Sequence, residues 1–142
     1  MSFESYQRVW KHAQIEAEHR GWKITPVLDA KTIDAQRDAL EVFIRKNVDA
    51  IVINYAQMQT LKDLVIQARN KGIGVYCVDN TLVPGVIVNA TQHNGVVGAR
   101  IFYYGAERID SKGKVLILNE ARPCIYQERC FAVEGLIKKG YP

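Results

Sequence analysis

The 142-residue sequence lacks any apolar run of membrane-spanning length; its longest are the size of a β-strand, far short of the roughly 20 residues a spanning helix needs. It lacks cysteines at metal-ligand spacing. Cys77, Cys124 and Cys130 are an odd set with no CxxC pair, which argues against a zinc site or a disulfide framework. All three are expected to be structural, with Cys77 a buried, inert thiol inside an apolar strand, and a Cys124–Cys130 link stays open. His12, His19 and His93 are far apart and form no HExxH arrangement, so no metal ligation is expected. There is no GxGxxG after a strand, no GxxxxGK[ST] and no GxSxG. The net charge of +4 comes from scattered lysines and arginines mixed with acids, and without a basic stripe there is no case for nucleic acid. The opening MSFESYQRVW has neither the basic start nor the apolar run of a signal peptide.

What is present is ordinary for one globular domain, with 48% apolar and 24% charged residues. The chain is organised around KGIGVYCVDNT, residues 71–81. A helix stops at Gly72, an apolar strand runs from Val75 to Val78, and the strand ends on the polar pair Asp79-Asn80. An ionised Asp only accepts hydrogen bonds, whereas Asn donates and accepts. Together they suit a polyhydroxylated small molecule.

The same grammar recurs along the chain. A helix is predicted over Tyr6 to Arg20, with Tyr6, Val9, Trp10, Ala13 and Ala17 on one face and Gly21 as its stop. A strand over Trp22 to Leu28 ends at Asp29. Thr32 stands at the N-cap of a second helix with Ile33, Leu40, Phe43 and Ile44 inward, ended by Asn47. AIVI, residues 50–53, is apolar throughout, as a strand covered on both faces must be, and stops on Asn54. A third helix spans Thr60 to Asn70. After Pro84-Gly85 come a short apolar piece at Val86–Val88, a helix over Gln92 to Tyr104, a strand over Lys114 to Leu118 ending at Asn119-Glu120, and a helix over Gln127 to Lys138 stopped by Gly140.

Alternation of this kind predicts βαβ crossovers: a three-layer α/β fold with a parallel sheet and helices on both faces. Asp29, Asn54, Asp79-Asn80 and Asn119-Glu120 would share the C-terminal edge of the sheet, where α/β ligands bind. Because the chain opens on a helix, a first, central strand is expected to be missing.

HAQIEAEHRGW at 12–22, NVDAIVINY at 47–55, ARNKGIGVYCVDN at 68–80, ATQHNGVVGARI at 90–101, GKVLILNE and QERCFAVEGL together resemble the type I periplasmic (solute-binding) proteins of bacterial sugar uptake systems, the ribose-binding proteins above all. The resemblance covers the whole chain, laid on the N-terminal lobe. It implies a single α/β lobe over residues 1–142, a fragment of a two-lobe clamp serving an ABC transporter permease, with a periplasmic setting and no cofactor. It assigns sugar contacts to Asp79, Asn54 and Arg129, and stacking to Tyr6, with Phe3 nearby. Asn80 adds a further amide, standing where many relatives carry Arg, and Ser5 replaces one of the usual aromatic pair.

Each residue also has a structural reading. Asp79 suits a turn brace, Asn54 a strand end, Arg129 a solvated helix and Tyr6 packing on the sheet. Asp29, Asp79 and Glu120 have no adjacent nucleophile or base, so catalysis is not expected. Rival functions are the effector-binding core of a lac-repressor-like regulator and a stand-alone doubly wound enzyme or signalling domain. A third reading is self-association through an exposed sheet.

Overall fold

The computed structural model describes residues 4–118 and 124–140. In chain order these form α1 (Glu4–His19), α2 (Ile33–Arg45), β1 (Ala50–Asn54), α3 (Met58–Asn70), β2 (Gly74–Val78), β3 (Val88–Ala90), α4 (Asn94–Arg108) and α5 (Cys124–Lys138). The strands make one parallel sheet in the order β1-β2-β3. The expected parallel α/β architecture is found.

Local chemistry sets the element ends. Thr32 Oγ1 accepts from the Ala35 N–H at 3.1 Å, satisfying an orphan donor of α2's first turn. Asn47 ends α2 in the left-handed region at φ 50°, one of the few non-glycine residues that enter it cheaply.

The core forms because α2 and α3 cover one face of the sheet. Ile51 of β1 and Val75 and Cys77 of β2 point into it, against Leu40 and Ile44 of α2 and Met58, Leu61, Val65 and Ala68 of α3. Burial pushes the Cys77 thiol up to about 11, with an Asn80 hydrogen bond opposing, so it stays protonated near neutrality. Cys130 is a second buried free thiol. The other face of the sheet is largely uncovered by the described residues. Val52, Tyr76 and Val88, directly opposite one another in register, are 66%, 38% and 54% exposed.

Two expected strands are absent. Residues 22–28 and 114–118 form no ladder, and Trp22, Leu28, Leu116 and Leu118 are exposed. An apolar run becomes a strand only where a neighbour takes its backbone groups, and no described strand lies beside either segment. The remaining helices match in place, with ends shifted by a few residues.

Arg37 clamps α2 to α3. Its guanidinium donates in a fork to Asp63, Nη1 to Oδ1 at 2.8 Å and Nη2 to Oδ2 at 2.6 Å, and also donates to the Thr60 carbonyl. The Arg37 hydrogen bonds hold the Asp63 carboxyl down at about 2, against an ordinary 3.8. A carboxylate depressed in the folded state stabilises it above the unfolded pKa, and that contribution is lost as pH falls through the folded value. The clamp should therefore weaken between about pH 4 and about pH 2. Carbon-detected titration of Asp63 is expected to show the low midpoint, and an Asp63→Asn chain should lose this segment of its stability–pH curve. A midpoint near 4 would contradict the clamp.

Candidate functional site

β1, β2 and β3 run parallel, so their C-terminal ends deliver Asn54, Asp79-Asn80 and Thr91 to one edge. β1 and β2 leave that edge through left-handed residues, Tyr55 at φ 52° and Asp79 at φ 52°. The turn aims the Asp79 carboxylate at Thr91, whose hydroxyl donates to Oδ1 at 2.8 Å. The Asp79 N–H donates to the Ala90 carbonyl at 2.9 Å, tying the β2 and β3 ends together.

Asn80 is 4% exposed and its amide is occupied by backbone. Oδ1 accepts from the Ala56 N–H at 2.7 Å, while Nδ2 donates to the carbonyls of Ile53 at 2.8 Å and Val78 at 3.2 Å. Only an amide satisfies a donor and two acceptors at once. Asn89 completes the tie, donating to the Asn80 carbonyl and accepting from the Asn80 N–H. Asn80 thus locks the β1 and β2 exits to each other. Beside it, the Asn54 Oδ1 is buried and has no hydrogen-bond partner among the described residues.

Arg129 reaches the same region from α5. Its Nε donates to the Asn94 Oδ1 at 2.7 Å, and Asn94, 1% exposed, starts α4 and donates to the Gln92 carbonyl at 3.2 Å. This reach needs α4 and α5 to lie very close. A Cβ built on Gly98 would sit 2.3 Å from the Arg129 carbonyl oxygen, so only glycine admits the crossing. His93 Nδ1 accepts from the Val96 N–H at 3.4 Å and caps α4, a helix-end role rather than a metal one.

Beside these groups lies a cleft of about 390 Å³, lined by Asn80, Thr81, Leu82, Asn89, Thr91, Gln92, Asn94 and Glu128, with Asn54, Asp79 and Arg129 next to it rather than in its wall. By residue type the lining is mostly amide and hydroxyl with one carboxylate and Leu82, yet the surface it presents is more apolar than polar. The volume lies in the range of small-molecule sites. A larger groove of about 670 Å³ runs between α2 and α3, but its lining comes from those helices and Lys71, and its Arg37–Asp63 and Arg45–Glu41 charges pair with each other.

Of the expected site residues, Asn54, Asp79 and Asn80 meet at this edge, and Arg129 joins them through Asn94. Tyr6 lies in α1, with its side chain outside the described residues. Asn119-Glu120 also falls outside them, while Asp29 is exposed and pairs with Lys31 at 2.9 Å. Sequence reasoning missed Asn89, Thr91, Gln92, Asn94 and Glu128 as lining residues. The signal was present in the tract NATQHN, a run of polar residues at a strand end like Asp79-Asn80. Among the described residues no three His, Cys, Asp or Glu gather around a common point that could hold a metal ion.

The family described as "Periplasmic binding protein domain" matches residues 4–128. The chain belongs to that family. A xylitol-binding protein of Mycolicibacterium smegmatis is 29% identical over 87 residues, which is 61% of this chain and 25% of the relative. An ABC sugar transporter subunit from Rhodobacter sphaeroides superposes on this periplasmic binding protein domain with a TM-score of 0.88 at 19% identity, over 99% of this chain and 50% of that one. A 5-methylthioribose transporter solute binding protein from Thermotoga lettingae, in complex with 5-methylthioribose, gives 0.87 at 21% identity, over 99% and 44%. The domain therefore spans half or less of the length of these relatives.

Proposed function

We propose that the chain is one lobe, the N-terminal one, of a two-lobed, non-catalytic sugar-binding protein that feeds an ABC-type transporter from outside the cytoplasm. The observation that carries this reading is the cleft at the strand ends, where Asn, Gln and Thr side chains that can hydrogen-bond hydroxyls are set in a wall that is mainly apolar in surface, a mixture suited to the polar and apolar faces of a sugar. Asp79 accepts from two neighbouring hydroxyls or from one while holding Thr91, and Asn54, whose Oδ1 is buried, lies behind that edge. Arg129, fixed by Asn94, supplies a cation near the α5 side. Asn80 acts differently from the sequence expectation: its amide holds the frame, and other groups meet the ligand. Tyr6 would supply the stacking face. Relatives that bind xylitol or 5-methylthioribose support a small polyhydroxylated ligand.

A clamp gains affinity because the ligand touches both lobes, and closure shifts the population only through those paired contacts. One lobe alone should therefore bind weakly, with a dissociation constant of about 1 mM or above. Titrating the isotope-labelled chain with a pentose or pentitol is expected to move the amide signals of Asn54, Asp79 and Thr91 with that midpoint. Asp79→Ala should abolish the shifts while leaving the remaining spectrum in place. No shift at high sugar concentration, or micromolar binding by this chain alone, would overturn the single-lobe reading.

A further inference from the structure

β1 and β2 leave the sheet as a matched pair. Asn54 lies in register with Val78, so Tyr55 and Asp79 are the next partners across the two strands, and both turn left-handed at φ 52°. Aspartate enters that region readily. A bulky aromatic residue does not, and at this φ it is a genuine outlier. If the turn from β1 into α3 were all that position 55 had to make, Gly, Asn or Asp would make it with less strain.

The fold holds the outlier in place rather than relieving it. Asn80 bridges the chain on either side, its Nδ2 donating to the Ile53 carbonyl at 2.8 Å and its Oδ1 accepting from the Ala56 N–H at 2.7 Å. That one buried amide closes residues 53–56 into a loop whose tip carries residues 54 and 55. Strain of this kind persists where the surroundings over-determine the backbone, and such places cluster at ligand sites. Packing does not explain the ring. In an extended continuation of β1, residue 55 would follow Ile51 and Ile53 onto the face under α2 and α3. The left-handed turn breaks that alternation. The core of the described residues takes Ile53 and Ala56 on either side but not Tyr55, which stays half-buried at the edge.

We propose that Tyr55 is a ligand-contacting residue, its ring forming an apolar wall beside the Asp79 carboxylate. A sugar offers both kinds of surface, hydroxyls at its rim for Asp79 and a patch of C–H groups for Tyr55. The C–H hydrogens, slightly positive, meet the negative face of the aromatic ring. The strained exit is then what sets an aromatic ring and a carboxylate side by side on adjacent strands. This inference rests on the reading of the strand-end edge as a sugar site, and it adds to the stacking face assigned to Tyr6.

The test is a titration of the isotope-labelled chain with D-xylose, read from the Asp79 and Thr91 amides, with Tyr55→Asn and Tyr55→Phe alongside and thermal unfolding of each. Asparagine tolerates the left-handed region but brings no ring. Tyr55→Asn is therefore expected to melt several degrees above the wild type yet bind xylose about fivefold to tenfold more weakly. A residue that only packed would move stability and binding in the same direction. Tyr55→Phe restores the ring and should recover most of the affinity. If Tyr55→Asn leaves the xylose midpoint where the wild type has it, the role of Tyr55 is overturned and the sugar site stands. The same follows if Tyr55→Asn melts below the wild type, or if Tyr55→Phe binds as weakly as Tyr55→Asn. A wild type whose amides do not respond to xylose overturns both together.

Discussion

An Asn80→Ala chain is expected to unfold roughly 10 °C below the wild type, from a loss of about 3 kcal/mol. The side chain is small, so lost packing explains little of this. The cost comes from the Ala56 N–H and the Ile53 carbonyl, which lose their Asn80 partners at 2.7 Å and 2.8 Å in a place that is 4% exposed. A buried backbone group without a partner forfeits its hydration and gains nothing in return. Asn80→Asp separates this cause from shape. The carboxylate keeps an acceptor for Ala56 but presents oxygen to the Ile53 and Val78 carbonyls, so its folded-state pKa must rise. A raised carboxyl pKa costs stability above the unfolded value of about 3.9 and stops costing it below. Asn80→Asp should therefore lie well below the wild type at neutral pH and approach it as pH falls towards about 4. Thermal unfolding of both variants at the two pH values decides the matter. An alanine variant that melts with the wild type would show that the tie carries no load.

Gly98→Ala is the second large effect, and its sign opposes helix propensity. Alanine in a helix interior gains about 0.5–1 kcal/mol over glycine. Gly105 of the same helix has nothing within 4 Å of a built Cβ, so Gly105→Ala should show that gain. At Gly98 the Cβ meets the Arg129 carbonyl oxygen at 2.3 Å, its Cα at 2.8 Å and its carbonyl carbon at 2.9 Å. These are backbone atoms of α5 and cannot rotate away. The helices must separate by about 1 Å, and overpacking of this kind costs roughly 1–3 kcal/mol. The Arg129 to Asn94 bond spans the same crossing, so separation also draws the guanidinium out of the site. Opposite shifts in melting temperature for the two glycine variants are the expected result. Equal stabilisation by both would mean that α4 and α5 are not held at this distance.

The elements that the sequence declared most clearly were those whose signals are local. Thr32 as a cap, and Gly21, Gly72 and Gly140 as stops, act through their own backbone within a turn, and each stands at a helix end with positive φ for the glycines. The strand ends at Asn54 and Asp79 were legible because apolar runs stop there. Residues 22–28 and 114–118 failed because an apolar run reports a capacity for burial, whereas a strand also needs a neighbour, and neighbours are a property of topology. Asn80 shows the same limit inside the site. Its type announced an amide at the sheet edge, but whether that amide faces a ligand or the backbone depends on Ala56, 24 residues away. The cleft wall at Asn89 to Asn94 was hidden for a different reason: the tract also carries the start of α4, and the helix signal drew the reading.

The left-handed backbone at Asp79 bears on how this site can change over generations. At φ 52° a β-branched residue is strongly disfavoured, while aspartate, asparagine and glycine are accommodated with little strain. The neighbours admissible by descent are therefore few. A lineage can trade the carboxylate for an amide, or delete it as glycine, without disturbing the β2 exit. It cannot easily reach threonine, valine or isoleucine there. Diversification of this pocket is channelled away from position 79 and onto residues such as Thr91 and Gln92, whose backbones lie outside that region and leave the choice of side chain open.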